Sequence, residues 1–255
     1  MVEVKPSNNL QAALDKGGEI TLLPGEHLID PPLVISVDGT RLIFADGAKV
    51  VCSTVARDSR DMDTRIPMEP DEPALPWSDA VRVTGDDCHI INPFIDANGL
   101  AAHGLTTACR RVFIDDAIIC NARLKQFRVS QSGHCPEQIT VNGIAVQSAF
   151  ALSSVVNHGV LIDPGSKPAK SVTIRDLYVG NLAEGRGPST AVKMATADSI
   201  VVDGIGNVNN YRIVYAEGLG QITLRRGPWM RYPVNYYPPD DNDHDLSIRY
   251  EALYK

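Results

Sequence analysis

A short apolar block recurs six times along this chain, and its spacing restricts the fold more than any other feature. In order the blocks are HIINPFID (89–96), VFIDDAII (112–119), ITVNGIAV (139–146), VTIRDLYV (172–179), IVVDGIGN (200–207) and ITLRRGPW (222–229). Successive starts lie 23, 27, 33, 28 and 22 residues apart. That exceeds a meander of hairpins, and no 3.6-residue apolar period fills the intervals. Within a block, two strand-like runs meet at a polar step: IIN-PFI, FIDD-AII, TVNG-IAV, TIRD-LYV, VVDG-IG. The step holds Asn, Asp or Gly, residues that tolerate left-handed backbone angles. A further short strand precedes each block: AVRV (80–83), GLTT (104–107), FRVS (127–130), VLI (160–162), VKM (192–194) and IVY (213–215). Three strands per repeat predict an all-β chain, a single-stranded right-handed parallel β-helix with three strands per rung.

This pattern gives the adjacent carboxylates Asp115 and Asp116 a turn role. They fill the same step as Asn142-Gly143, Arg175-Asp176 and Asp203-Gly204. At the N-terminus, Leu10, Ala13 and Leu14 of NNLQAALDK share one helical face, which predicts a helical cap over the open end of the stack. The expected organisation is a β-helix domain over 1–226, interrupted by an acidic, proline-rich loop at 53–79, and an aromatic capping or assembly tail at 227–255. The loop carries three arginines against seven acids. The tail holds Trp229 and five of the eight tyrosines, an interface composition. Trp229, Tyr232, Tyr236 and Tyr237 are its candidate assembly residues.

A formal net charge of −7 argues against general nucleic-acid binding. The opening MVEVKPSNN lacks a signal-peptide pattern and no run reaches membrane-spanning length, so no membrane association is expected. Five cysteines without CxxC spacing suggest reduced, buried thiols rather than a zinc site or a disulfide framework. The acidic run DDNDHD (240–245) has Leu246 and Ala252 where a calcium-binding EF-hand loop needs Gly and a bidentate acid. No metal site is expected from these residues.

If Val81, Leu105, Phe127, Val160, Val192 and Ile213 point inward, their successors Arg82, Thr106, Arg128, Leu161, Lys193 and Val214 form an outward column. Arg82, Arg128 and Lys193 suit the carboxylates or sulfates of an acidic polysaccharide. Trp77, at the end of the acidic loop, is a candidate for stacking on a sugar ring.

The helix followed by TLLPGEHLI and PLVI resembles the opening of the pectate-lyase-like right-handed β-helix superfamily, above all its phage tailspike and virion-type members. The resemblance extends over residues 8–226. It implies a non-catalytic virion or tailspike-like structural protein that binds surface glycan or neighbouring subunits. It also implies a homo-oligomer, with a trimer favoured, or contacts with other virion proteins, and manufacture in a host cytoplasm. NHGVLI and AVKM are further similar to two segments of polygalacturonases, with His158, Gly159 and Lys193 matching. Ala191 or Val192 stands where that family has Arg, and NARLKQF (121–127) lacks its catalytic aspartates. A two-carboxylate hydrolase is therefore not expected. The alternative is a lyase on a uronate polysaccharide, with Lys193, Arg128 and His158 as base and neutralisers and calcium as a cofactor in that case alone. A cytoplasmic sugar-modifying enzyme of the same fold is a third option.

Overall fold

The computed structural model describes residues 1–56, 65–66, 75–76, 78–130, 135–151, 156–163, 169–184, 189–194, 198–203, 205–207, 212–217, 221–225, 235–237 and 247–251. The first elements are β1 (Val2–Val4), α1 (Leu10–Leu14), β2 (Glu19–Leu22), β3 (Gly25–Ile29), β4 (Leu33–Ile35), β5 (Arg41–Phe44) and β6 (Ala48–Cys52). Then come β7 (Arg65–Ile66), β8 (Leu75–Pro76), β9 (Asp79–Val83), β10 (Cys88–Ile91), β11 (Phe94–Asp96), β12 (His103–Thr107) and β13 (Arg111–Cys120). The middle holds β14 (Lys125–Ser130), β15 (Gln138–Ser148), β16 (His158–Asp163), β17 (Val172–Leu182) and β18 (Thr190–Met194). The last are β19 (Ser199–Asp203), β20 (Ile205–Asn207), β21 (Arg212–Glu217), β22 (Gln221–Arg225), β23 (Asn235–Tyr237) and β24 (Ser247–Glu251).

The described residues are all-β apart from α1, and all strands but β7 and β8 form two parallel sheets. An eight-stranded sheet runs β4-β9-β12-β14-β16-β18-β21-β23. A fourteen-stranded, strongly curled sheet runs β1-β2-β5-β10-β13-β15-β17-β19-β22-β24, with β3, β6, β11 and β20 attached alongside. From β9 onward the chain visits the two sheets in alternation, and each return lies parallel to the strand of the previous visit. The small antiparallel pair β7–β8 stands apart within the acidic segment.

Register explains the recurring blocks. Ile20, Leu42, Ile90, Ile114, Val141, Ile174 and Val202 stack across the larger sheet and all point into the core. Facing them, Leu33, Val81, Leu105, Phe127, Val160 and Val192 stack across the smaller one. Both sets belong to one buried cluster. Because a parallel strand pair repeats every ~4.8 Å, one apolar residue per visit suffices to continue the column. The thiols of Cys52, Cys88, Cys109 and Cys120 are free and buried, and burial pushes each upward, to about 11 for Cys88 and about 12 for the others.

The polar steps are left-handed residues. Asn92, Asp116, Gly143 and Asp176 have φ of 53°, 52°, 77° and 49°. Three of the blocks expected to be strand pairs are single strands, β13, β15 and β17, bent at that residue. Asp115, Asn142 and Arg175 stack in register just before the bend. Asp115 accepts from Asn142 Nδ2 at 2.9 Å and pairs with His89 Nε2 at 2.6 Å, and Arg175 Nη1 donates to Asn142 Oδ1 at 2.8 Å. Burial favours a protonated Asp115, but the Asn142 and His89 hydrogen bonds prevail and hold its carboxyl below the usual range.

This assignment predicts opposite outcomes on the neighbouring strands β13 and β15. Asp116→Gly exchanges a left-handed cost of roughly 1–2 kcal/mol for extra unfolded-chain freedom, so stability should stay within about 1 kcal/mol of the parent. Gly143→Ala places a Cβ 2.6 Å from Asp116 Oδ1 at a φ of 77°. It should cost roughly 1–3 kcal/mol. Urea denaturation midpoints of the two variants check both.

Two expectations change. Among the described residues no helical cap covers the end of the sheets. α1 is only five residues long, and β1 forms the edge of the larger sheet. Leu10, Ala13 and Leu14 are buried as expected, and at the edge of the smaller sheet the Gln11 side chain both donates to Val34 O (2.9 Å) and accepts from Val34 N (2.8 Å). The amide thereby imitates a neighbouring strand at one residue, because an edge strand's open N–H and C=O groups need partners. Second, Val192 and Lys193 pair with Val214 and Tyr215, one residue beyond the expected Ile213 and Val214. The 227–255 segment contributes β23 and β24, one more strand for each sheet.

Candidate functional site

The outer face of the eight-stranded sheet carries the column of residues that the sequence singled out. Val34, Arg82, Thr106, Arg128, Leu161, Lys193 and Tyr215 are consecutive register partners. The expected column from Arg82 to Lys193 is therefore present, and Arg128 and Lys193 flank β16, the strand that begins with His158.

A second column runs beside it, three residues earlier on each strand. Asp79, His103, Lys125, His158 and Thr190 are register partners in turn. Simple alternation would send these residues inward. Between the columns, however, Gly104 and Gly159 also face the core. A Cβ on Gly104 would meet Ile119 Cγ2 at 2.4 Å, and one on Gly159 would meet Ala191 O at 2.7 Å and the Val146 and Val179 methyls at 3.2 Å. Ala80 and Ala191, their counterparts on β9 and β18, are buried in the same core. Two successive inward residues on these strands return Asp79 and His103 to the outer face, where Asp79 meets Thr106 and Arg82.

Asp79 is fully buried and is the hub of that face. Its Oδ1 accepts from Thr106 Oγ1 at 2.7 Å and from His103 Nδ1 at 2.8 Å, and its Oδ2 accepts from Arg82 Nε at 2.5 Å. Arg82 Nη2 also reaches the buried Ser78 Oγ at 3.4 Å. Burial pushes the His103 imidazole well below its ordinary value, and the nearby positive charges of Arg128 and Lys125 push it further. The opposing pull of Asp79 is insufficient, so His103 is neutral at pH 7 and donates its Nδ1 proton to the carboxylate. Burial alone would raise the Asp79 carboxyl. The His103 and Thr106 hydrogen bonds and the Arg82 charge outweigh it and hold Asp79 far below the carboxylate range. With His103 neutral, the ionic share of that hold falls to Arg82.

The signs give a pH dependence. His103 in the unfolded chain takes a proton as pH falls through about 6.5, while the folded protein resists it, so stability declines from there downward. Unfolded Asp79 adds a second loss below about 3.8. His103→Gln should flatten the fall in stability between pH 6.5 and 4, which for one differential proton is at most about 1.4 kcal/mol per pH unit. Thermal unfolding at a series of pH values measures it.

The other groups on this face have distinct settings. Arg128 Nε is buried and has no hydrogen-bond partner among the described residues. Leu161 and Thr106 point outward yet are only 5% and 1% exposed. The carboxylates on the six strands from β4 to β18 are Asp79 and Asp163. They stand on β9 and β16, three strands and thus roughly 14 Å apart. A pair of hydrolase carboxylates needs about 5–9.5 Å. Among the described residues no group of three or more His, Cys, Asp or Glu side chains is arranged to hold a metal ion. No helix among them is long and apolar enough to cross a membrane.

Trp77, Trp229 and Tyr232 lie outside the described residues. Tyr236 and Tyr237 belong to β23, where their backbones pair with Ala216 and Glu217. The residues that sequence reasoning missed are Asp79, His103, Thr106 in its hydrogen-bonding role, and Lys125. A usable signal existed: a polar side chain stands three residues before each member of the outer column from Arg82 to Lys193. Compared with protein-family models, with curated proteins and with solved structures, this chain finds no match in any of the three.

Proposed function

We propose that the chain is a right-handed parallel β-helix of the pectate-lyase-like, phage tailspike or virion type. In this reading it binds an acidic surface glycan along the outer face of the eight-stranded sheet without cleaving it, and assembles with copies of itself, as a trimer, or with other virion proteins. The alternation of the chain between two parallel sheets supports the fold. One observation carries the function: Arg82, Lys125, Arg128 and Lys193 all come from strands of a single sheet, in two adjoining in-register columns. A rigid row of cations at strand spacing suits a polymer that presents repeated carboxylates or sulfates.

The alternative is a uronate lyase. It is favoured by the succession of Arg128, His158 and Lys193 on β14, β16 and β18, which offers a base and two neutralising cations on neighbouring strands. Calcium would enter only in that case.

A panel of acidic and neutral polysaccharides separates the readings. Binding, new reducing ends and the ultraviolet absorbance of unsaturated uronates are followed together. Binding of acidic polymers alone supports the proposal. Absorbance that disappears in Lys193→Ala supports the lyase. Absence of binding across the panel removes the glycan reading, and a monomer by light scattering removes the homo-oligomer.

A further inference from the structure

The larger sheet presents a surface of different chemistry just past the left-handed steps. Phe94, Ile118, Ala145 and Tyr178 are consecutive register partners on β11, β13, β15 and β17. Each stands between two buried residues, so strand alternation turns all four outward. Ile118 is 43% exposed and Tyr178 45%, while Phe94 and Ala145 are half-buried. At one end the column meets β6 and β3, where Lys49 pairs with Glu26 at 2.8 Å. At the other, Tyr178 is in register with Gly206 of β20, which adds no side chain beside the ring.

An exposed apolar column of this kind marks a contact site, and its dimensions select the occupant. Three strand steps make it roughly 14 Å long, and it is one side chain wide. A stable subunit interface needs about 800 Å² from each partner, far more than such a stripe supplies. One unit of an extended, β-linked sugar chain is about as long as one strand step of ~4.8 Å, so neighbouring units fall on neighbouring strands. Ala145 is the smallest of the four residues, and the column dips there between Ile118 and Tyr178. The flanks are polar. Exposed Gln147 follows Ala145 by two residues, and exposed Asp116 precedes Ile118 by two. An amide donates and accepts and a carboxylate accepts, which suits sugar hydroxyls. The Asp116 charge opposes a carboxylated or sulfated sugar.

We propose that this stripe is a second carbohydrate site, separate from the cationic face, for an uncharged, β-linked polysaccharide. The slightly positive C–H face of one pyranose lies on the electron-rich face of the Tyr178 ring. Further units lie against Ile118 and Phe94, and Asp116 and Gln147 take hydroxyls. The site does not depend on the acidic-glycan reading.

The test is calorimetry on the full chain with cellohexaose, xylohexaose and mannohexaose, all uncharged and β-linked, and with oligogalacturonate. The variants are Tyr178→Ala, Tyr178→Phe and Ile118→Glu, with thermal unfolding to certify folding and light scattering for molar mass. At least one neutral probe should bind the parent. Its affinity should fall about tenfold or more in Tyr178→Ala and Ile118→Glu and stay within about twofold of the parent in Tyr178→Phe. Oligogalacturonate affinity should be unchanged in Tyr178→Ala. Absence of neutral binding, or full affinity in folded Tyr178→Ala, would overturn the site whatever oligogalacturonate does. Neutral binding without oligogalacturonate binding would instead keep this site and remove the acidic-glycan reading. Equal losses in Tyr178→Phe and Tyr178→Ala would assign the contact to the hydroxyl and overturn the stacking. A parallel loss of oligogalacturonate affinity in Tyr178→Ala would overturn the separation of the two sites. A fall in molar mass in either Tyr178→Ala or Ile118→Glu would make the stripe a contact between copies and overturn the proposal. Should Ile118→Glu fail to fold, the two Tyr178 variants decide the matter.

Discussion

Asp79→Ala is expected to cost roughly 3–5 kcal/mol, the range seen when one member of a buried ion pair is removed. The carboxylate is fully buried and serves three donors on two strands, so its loss leaves Arg82, His103 and Thr106 unmatched together. Urea denaturation should show a lower midpoint with little change in slope. Asp79→Asn keeps an oxygen acceptor for His103 and Thr106 but loses the charge opposite Arg82, so its loss should be intermediate. That ordering, Ala worse than Asn, separates the electrostatic share from the hydrogen-bond share. A cost near zero for Asp79→Ala would mean that β9 and β12 are held by their backbone ladder and core contacts alone.

The Asp79 hub also shows how far the sequence could be read. Periodicity of apolar residues was enough to align Val81, Leu105, Phe127, Val160 and Val192, because each must fill the same slot above its predecessor. It was also enough to place Asp116 and Gly143 at a bend, since few residue types accept a positive φ. Strict alternation failed at Gly104 and Gly159, where two successive residues face inward. That local irregularity hides the second polar column from a period-2 reading. Asp79 looked like the last acid of an acidic loop, whereas it is the first residue of β9. Its partners His103 and Thr106 are 24 and 27 positions away. Only the length of chain between successive strands of the sheet, which varies with the loops, connects them. The one-residue slip at Val214 has the same origin, because register depends on loop length that the sequence does not reveal.

The second large effect concerns the core side of β14. Among the described residues Phe127 is the largest fully buried side chain, and it stacks between Leu105 and Val160. Phe127→Ala should cost roughly 3–5 kcal/mol, the transfer loss of the ring plus the cavity it leaves. Phe127→Leu, which keeps more of the volume, should cost less than the alanine variant. For a chain of this size each kcal/mol lowers the melting temperature by roughly 2–4 °C, so the alanine variant should melt well below the parent. Arg128, the next residue, points the other way, because successive side chains here take opposite faces of β14. Under the proposed glycan-binding reading, folded Phe127→Ala should therefore keep an affinity for an acidic oligosaccharide close to that of the parent. Arg128→Lys should do the reverse, with a melting temperature near that of the parent and weakened binding. A loss of affinity in folded Phe127→Ala as large as that of Arg128→Lys would mean that the outer face depends on core packing so closely that the two faces of β14 cannot be assigned separate tasks.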